Sequence, residues 1–238
     1  MKNLFLVLAF VLLLTAGCGL TDERVRPSGP VTTELRSEAD FSRIDVTDAF
    51  DVEIRNGLNS SVSIETNENV HDIVEVEVFS DELHVRLRDG FRLQNGSVVK
   101  VLIVAPTITE IIGSGAVEIE LVDPLEQLAL DFNLSGASSF HGEVRLDNLI
   151  GEARGASSIN LTGRTTDYRL RARGASSIRD FDLVVDNLNL DLSGASSTRI
   201  TVNETLSLEI SGASSLVFMG DGEIISQSIT GTSEVSRR

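Results

Sequence analysis

From residue 31 onward the chain alternates apolar and polar residues almost without interruption. Ile44 and Val46, then Phe50, Val52 and Ile54, then Val62 and Ile64 each stand between polar neighbours. Val74, Val76 and Val78 repeat the pattern, as do Leu83, Val85 and Leu87. A period of two sends successive side chains to opposite faces of a strand, so these segments predict half-buried strands with charge on the open face. Asn56-Gly57, Asp89-Gly90 and Asn95-Gly96 supply the turns between them. Residues 98–105 are more continuously apolar, as in a strand covered on both faces, and Pro106 ends its ladder pairing. Residues 68–73 predict one short helical turn.

Beyond Thr107 a longer period is superimposed. The tetrapeptide Gly-Ala-Ser-Ser recurs at Gly136, Gly155, Gly174, Gly194 and Gly212, with degenerate copies at Gly115 and Gly231, at spacings of 18 to 21 residues. Repetition at this period is the signature of a solenoid. Six residues before each glycine stand Leu130, Leu149, Tyr168, Leu188, Leu206 and Ile225. Two before it stand Leu134, Ala153, Ala172, Leu192, Ile210 and Ile229, and four after it Ile119, Phe140, Ile159, Ile178, Thr198, Leu216 and Val235. These columns stay largely apolar while their neighbours vary, which is what stacked rungs require of inward positions. The glycines suit corners that need positive φ, and the alanines after them let corners stack closely. The column Ser138, Ser157, Ser176, Ser196 and Ser214, if it points inward, would satisfy its hydroxyls by donating to the next rung.

The expected fold is therefore all-β. Antiparallel-type strands over 41–106 merge into a single-stranded β-helix over 107–238, with rungs of about 19 residues. The N-terminal strands should cover one end of the rod. At the other end the backbone edge is open, so weak end-to-end self-association is an expectation.

The ends of the chain change the picture. Met1-Lys2-Asn3 is followed by an unbroken apolar run, Leu4–Leu14, too short to span a bilayer as a mature helix. It leads to Leu14-Thr15-Ala16-Gly17-Cys18, which resembles the lipobox of bacterial lipoproteins, with Thr15 where leucine is most usual. The resemblance implies a signal peptide over 1–18, lipidation of Cys18 and anchoring to a membrane through that lipid. Gly19 after the cysteine favours the outer membrane by the same resemblance, on its periplasmic face or at the cell surface. Cys18 is the sole cysteine, so an exported chain has no disulfide framework. Residues 19–40, with Pro27, Gly29 and Pro30, read as a tether.

Charge excludes one class of partner. With 36 acidic against 20 basic residues, the net charge of −16 should repel nucleic acid. Catalytic chemistry is hard to find. No Gly-x-Ser-x-Gly elbow occurs in the repeats, and serines repeated in every copy argue structure rather than a single nucleophile. His71, His84 and His141 are the only histidines, and none has a partner at metal-ligand spacing. His84 alternates with Leu83 and Val85 and should face solvent. We therefore expect no metal site, no cofactor and no enzyme. Two carboxylate pairs could serve a polysaccharide lyase or hydrolase, Asp180 with Asp182 and Asp221 with Glu223, near Arg145 and Arg164; the only tyrosine, Tyr168, sits in an apolar column. Arg154, Arg169, Arg171, Arg173 and Arg179 form a candidate basic strip for an anionic ligand such as a polysaccharide.

The order of these elements resembles a known family. An alternating N-terminal half, the strand Val101–Pro106, Ile112-Gly113-Ser114-Gly115-Ala116, and Ser-Gly-Ala-Ser at Ser135, Ser193 and Ser211 together resemble the bacterial head GIN domain, an auto-transporter adhesin domain of unknown function. The likeness covers residues 41–236. In two middle copies Arg154 and Arg173 replace the first serine. The resemblance implies a right-handed β-helix on an exported protein and no catalytic residues. The leading expectation is a non-enzymatic, adhesin-like binding or structural role in the cell envelope, with a surface polysaccharide or protein as ligand. The alternatives are a polysaccharide-active enzyme and a cation-responsive sensor ectodomain.

Overall fold

The computed structural model describes residues 22–94, 97 and 99–238. Cys18 and the apolar run before it lie outside the described residues, as do Asn95 and Gly96. The first part of the chain forms β1 (Glu23–Val25), β2 (Val31–Ser37), β3 (Arg43–Asp48), β4 (Asp51–Asn56), β5 (Ser61–Asn67), β6 (Val74–Phe79), β7 (Glu82–Leu87), β8 (Phe91–Leu93) and β9 (Lys100–Ala105). The second part forms β10 (Glu110–Gly115), β11 (Glu118–Leu134), β12 (Ser139–Gly155), β13 (Ser158–Gly174), β14 (Ser177–Leu192), β15 (Ser197–Ile210), β16 (Ser215–Met219), β17 (Glu223–Ile229) and β18 (Glu234–Arg237). A 3-10 segment, Glu68–Ile73, is the one helical element among the described residues.

The second part is the solenoid that the glycine period predicts. Strands β11 to β15 stack in parallel, each on the next. The apolar columns pair residue for residue. Ile119, Phe140, Ile159, Ile178, Thr198, Leu216 and Val235 follow one another through successive rungs. Leu130, Leu149, Tyr168, Leu188 and Leu206 do the same and are all buried. The column fails in the last rung. A register shift after Leu206 puts Ile224, not Ile225, beside it, and Ile225 is 65% exposed. Among the described residues β17 pairs with β15 alone, and Ile229 is also exposed.

Each corner is built the same way. The seven repeat glycines have φ between +75° and +96°. A Cβ on any of them would lie 2.3–2.7 Å from the carbonyl oxygen of the corner residue one rung below. The next residue's N–H donates to that same carbonyl at 2.7–2.8 Å. Glycine is thus required twice, by backbone conformation and by the atom it stacks on. The serine column after it is buried, as expected, but four of its five hydroxyls bond differently, and the Ser214 hydroxyl has no partner among the described residues. Ser138, Ser157, Ser176 and Ser196 donate to the carbonyl three residues back in their own rung, at 2.8–3.1 Å. Only Ser138 also links to a neighbouring rung, accepting from the Val117 N–H. The geometry of a tight corner puts the i−3 carbonyl nearer than the adjacent rung, so each seam is local.

The first corner lies outside the predicted repeats. Asp48 has φ +85° and stacks beneath Gly115, and the Ala116 N–H donates to its carbonyl. Strands β3 and β4 therefore form a rung directly under β10 and β11. The boundary at 106/107 is not a structural one. Strand pairing is decided in space, and the chain lays down the β3–β4 rung some sixty residues before the one that covers it. Below it, β7 and β9 pair in parallel with β3 and β4. Next, β6 and β5 run antiparallel to β7 and β9. This reversed layer, with buried Val70, His71 and Ile73 in the turn between, closes the N-terminal end.

Residues 23–37 are not a free tether. Strand β1 pairs with β8 and β2 pairs antiparallel with β5. The proline and glycine content of residues 27–30 suggested a linker. The exposed edge of β5 instead offers unpaired backbone groups, and β2 satisfies them while Arg36 donates to the carbonyls of His71 and Val74.

One acid is inside the core. Asp180 has 0% exposure, and its Oδ1 accepts the Leu161 N–H at 2.7 Å. Burial pushes its carboxyl up to about 7, with the Leu161 hydrogen bond opposing. Because the folded value lies above the unfolded one, this group's contribution is complete at low pH and is lost as pH rises through about 7. The penalty above that is on the order of 4 kcal/mol. Asp180→Asn should flatten the fall in stability between about pH 4 and pH 8, read by denaturant unfolding; an unchanged slope would put the wild-type charge in a solvated setting. Gly174→Val should lower stability by more than about 2 kcal/mol, from strain and the clash with the Gly155 carbonyl. Asn160→Val, on an exposed column, should change the melting temperature little.

Candidate functional site

The alternation that buries one side of each strand leaves the other side in ordered rows. On the face preceding the corners, one row runs Glu77, His84, Asp45, Ile112, Asn133, Glu152, Arg171, Asp191 and Glu209, each beside the next in register. It crosses nine strands from β6 to β15. Arg154 and Arg173 are register partners in a second row, and Ile150, Arg169 and Asn189 follow one another in a third.

Four of the five predicted strip arginines thus share one face, and all four are exposed. Arg179 does not share it. It lies past the corner, stacked on exposed Arg199. The separation follows from the offsets: residues one, three and five before a corner glycine project together, whereas a residue five after it belongs to the next flank. Arg154 pairs with Glu152 at 2.7 Å, and Arg171 and Arg173 both reach Asp191, at 3.0 and 3.9 Å. Among the described residues Arg169, Arg179 and Arg199 have no ion-pair partner. Surface pairs of this kind contribute little stability and exchange readily with an anionic ligand.

The carboxylates proposed for polysaccharide cleavage are not gathered. Asp180 is in the core, while Asp182, two residues on, is exposed. Asp180 continues the alternation from Ile178 and points inward beside Ile200; the register shift that follows it turns Asp182 outward. Asp221 and Glu223 are both exposed, and Asp221 faces Arg237 at 3.5 Å. Arg145 is held between Glu126 and Glu143, and Arg164 lies 3.7 Å from Asp186. Tyr168 is fully buried, so it offers no sugar-stacking surface.

A hollow of about 240 Å³ lies beside Arg145 and Arg164, and larger ones lie at the N-terminal end. One of about 690 Å³ separates the Arg86–Leu93 segment from the corners at Asp48 and Gly115. Two of its three acids have structural partners: Asp48 accepts the Leu87 N–H at 2.8 Å and Asp22 pairs with Arg92. A second, of about 490 Å³, is lined by Glu34, Arg36 and buried His71. His71 Nε2 contacts the Thr32 hydroxyl at 3.0 Å, and its Nδ1 is 3.5 Å from Glu34.

A third group was not foreseen. Asp45 on β3 lies beside His84 on β7, with Glu82 two residues before His84 on the same side of the strand. One ligand atom from each of the three falls within 4.8 Å of the others. Burial raises the Asp45 carboxyl above its usual range; Glu82 adds to this, and His84 works against it. The sequence did show Glu82 and His84 at i and i+2. It could not show Asp45, which the parallel pairing of β3 and β7 brings from a distant segment.

Comparison with known proteins now gives the family. No curated protein matches the chain. Among solved structures, a "putative adhesin" from Bacteroides fragilis superposes with TM-score 0.78 at 16% identity, covering 90% of this chain and 98% of its own. A "putative lipid binding protein" from Parabacteroides distasonis superposes with TM-score 0.75 at 17% identity, covering 91% of this chain and 100% of its own. A "putative adhesin" from Parabacteroides merdae gives 0.74 at 20%, covering 91% and 99%. At these identities the likeness establishes the fold alone. The sequence profile described as "putative auto-transporter adhesin, head GIN domain" matches residues 40–222, most of the chain, and the protein belongs to that family.

Proposed function

We propose that this head GIN domain is a non-enzymatic, adhesin-like binding module of an exported envelope lipoprotein, and that its broad charged face is the binding surface. The observation that supports this is the lattice of outward rows. Side chains recur about every 4.8 Å along the rod axis. A surface of that kind suits an extended, repeating anionic partner, such as a polysaccharide, better than a small substrate. Arg154, Arg169, Arg171 and Arg173 supply cations on one face, three of them with acidic neighbours that a ligand's carboxylates or sulfates would replace. Arg179 with Arg199 supplies a second, separate pair.

The scattered carboxylates favour binding over cleavage, since hydrolysis needs two acids held within about 5–10 Å across a bound sugar. The apolar run and Cys18 motif support anchoring by lipid to the outer membrane. No helix among the described residues is long and apolar enough to cross a membrane.

A screen of glycans and matrix proteins against chain lacking residues 1–18 tests the binding role. Arg154→Glu with Arg169→Glu and Arg173→Glu should weaken capture of an acidic glycan at least about tenfold and reduce its salt dependence. Equal binding by the triple variant would remove this face from the proposal. Cys18→Ser should shift the protein from the membrane to the soluble fraction, and retention on membranes would refute the lipid anchor.

A further inference from the structure

We propose that Asp45, Glu82 and His84 form a binding site for one divalent transition-metal ion of the zinc class. The three come from two strands that are neighbours in space and separated in the chain. His84 Nδ1 lies 3.6 Å from Asp45 Oδ2. Two ligands on a tetrahedral ion at about 2.0–2.1 Å are separated by roughly 3.4 Å, so this pair already stands at near-ligating distance. Glu82 completes the set with all three ligand atoms inside 4.8 Å. A small rotation of its side chain closes the remaining gap.

The surroundings permit that rotation. Glu82 is held by Arg43 at 3.1 Å, and Arg43 also lies 4.0 Å from Glu110. When Glu82 turns to a cation, Arg43 keeps a second carboxylate within reach. Glu77 stands opposite His84 on β6 and lines the same hollow of about 360 Å³. It is placed to serve as an outer carboxylate for the imidazole or for a metal-bound water. The hollow has room for water to complete the coordination.

The donor set selects the ion. One imidazole with two carboxylates suits zinc and its first-row neighbours. Calcium takes six to eight oxygen ligands, and two carboxylates are too few. Two carboxylates converging on a partly buried spot also repel each other, and a dication relieves that repulsion. The structural consequence is a brace. The ion would tie β7, and through it the closing β6 layer, to the first rung of the solenoid at β3.

Titration calorimetry of Zn²⁺ into the chelator-stripped full chain, with millimolar Ca²⁺ present to occupy weak acidic sites, tests this. One equivalent should bind, and Zn²⁺ should raise the melting temperature. His84→Ala and Asp45→Asn should each weaken Zn²⁺ binding at least about tenfold and abolish the thermal shift, while melting like the metal-free wild type. His84→Asn serves the same purpose if the alanine variant is poorly folded. His141→Ala should leave binding unchanged. Absence of Zn²⁺ binding, or full affinity in His84→Ala, would overturn the assignment. So would loss of binding in His71→Ala alone, which would move the ion to the neighbouring hollow.

Discussion

The structure depends on a contact between two backbones. At each corner a glycine rests on the carbonyl of the corner below, and the following N–H closes on that same oxygen. Nothing with a Cβ fits there, and nothing with a different φ would aim the N–H correctly. The contact fixes the rung-to-rung register at one point per turn. Everything else follows from that register: Ile119 must meet Phe140, Leu130 must meet Leu149, and the outward rows must align into a surface. Pairing errors of one residue would carry every apolar column to the wrong face.

That economy explains why so much of the fold was legible. The repeat glycines, the apolar columns at fixed offsets and the alternation in the first hundred residues all carry their own spacing. What was not legible shares one cause. Pairing between segments distant in the chain leaves little local trace. Asp48 is a corner, but its Asp-Ala-Phe carries no glycine, because the layer beneath the β3–β4 rung passes the corner differently and accepts a Cβ. Its carboxylate takes the Leu87 N–H instead. Strand β2 looked like a linker because its partner, the edge of β5, was invisible from its own residues. Ile225 was assigned to a column by counting, and a single bulge moved it out.

The candidate site divides along the same line. Arg154, Arg169, Arg171 and Arg173 could be placed together because the repeat puts them at odd offsets before a glycine. Arg179 was grouped with them by sequence proximity and belongs to another flank. Asp180 and Asp182 share a face only where the alternation holds between them; it holds from Ile178 to Asp180, which is therefore inward, and breaks just after. The Asp45–Glu82–His84 cluster needed two distant segments, β3 and β7, to be paired before it existed at all. In a fold whose core is set by repetition, individuality is concentrated where repetition stops, and here that is the N-terminal end.

The Asp48 corner gives the rod a direction. A corner glycine is demanded by the corner beneath it and places no such demand on the residue above except to be glycine in turn. The series must therefore begin at a residue with no matching corner below, which is Asp48, and can be continued only from the other side. The reversed β5–β6 layer seals the starting side with antiparallel strands that cannot accept a further parallel rung in the same register. At the far side β17 and β18 still present parallel edges and the uncovered Ile224 and Ile229. Duplication of a nineteen-residue unit would thus lengthen the molecule at its C-terminal end without disturbing what lies before it. Related chains of different length should keep the same foundation and differ in the number of storeys.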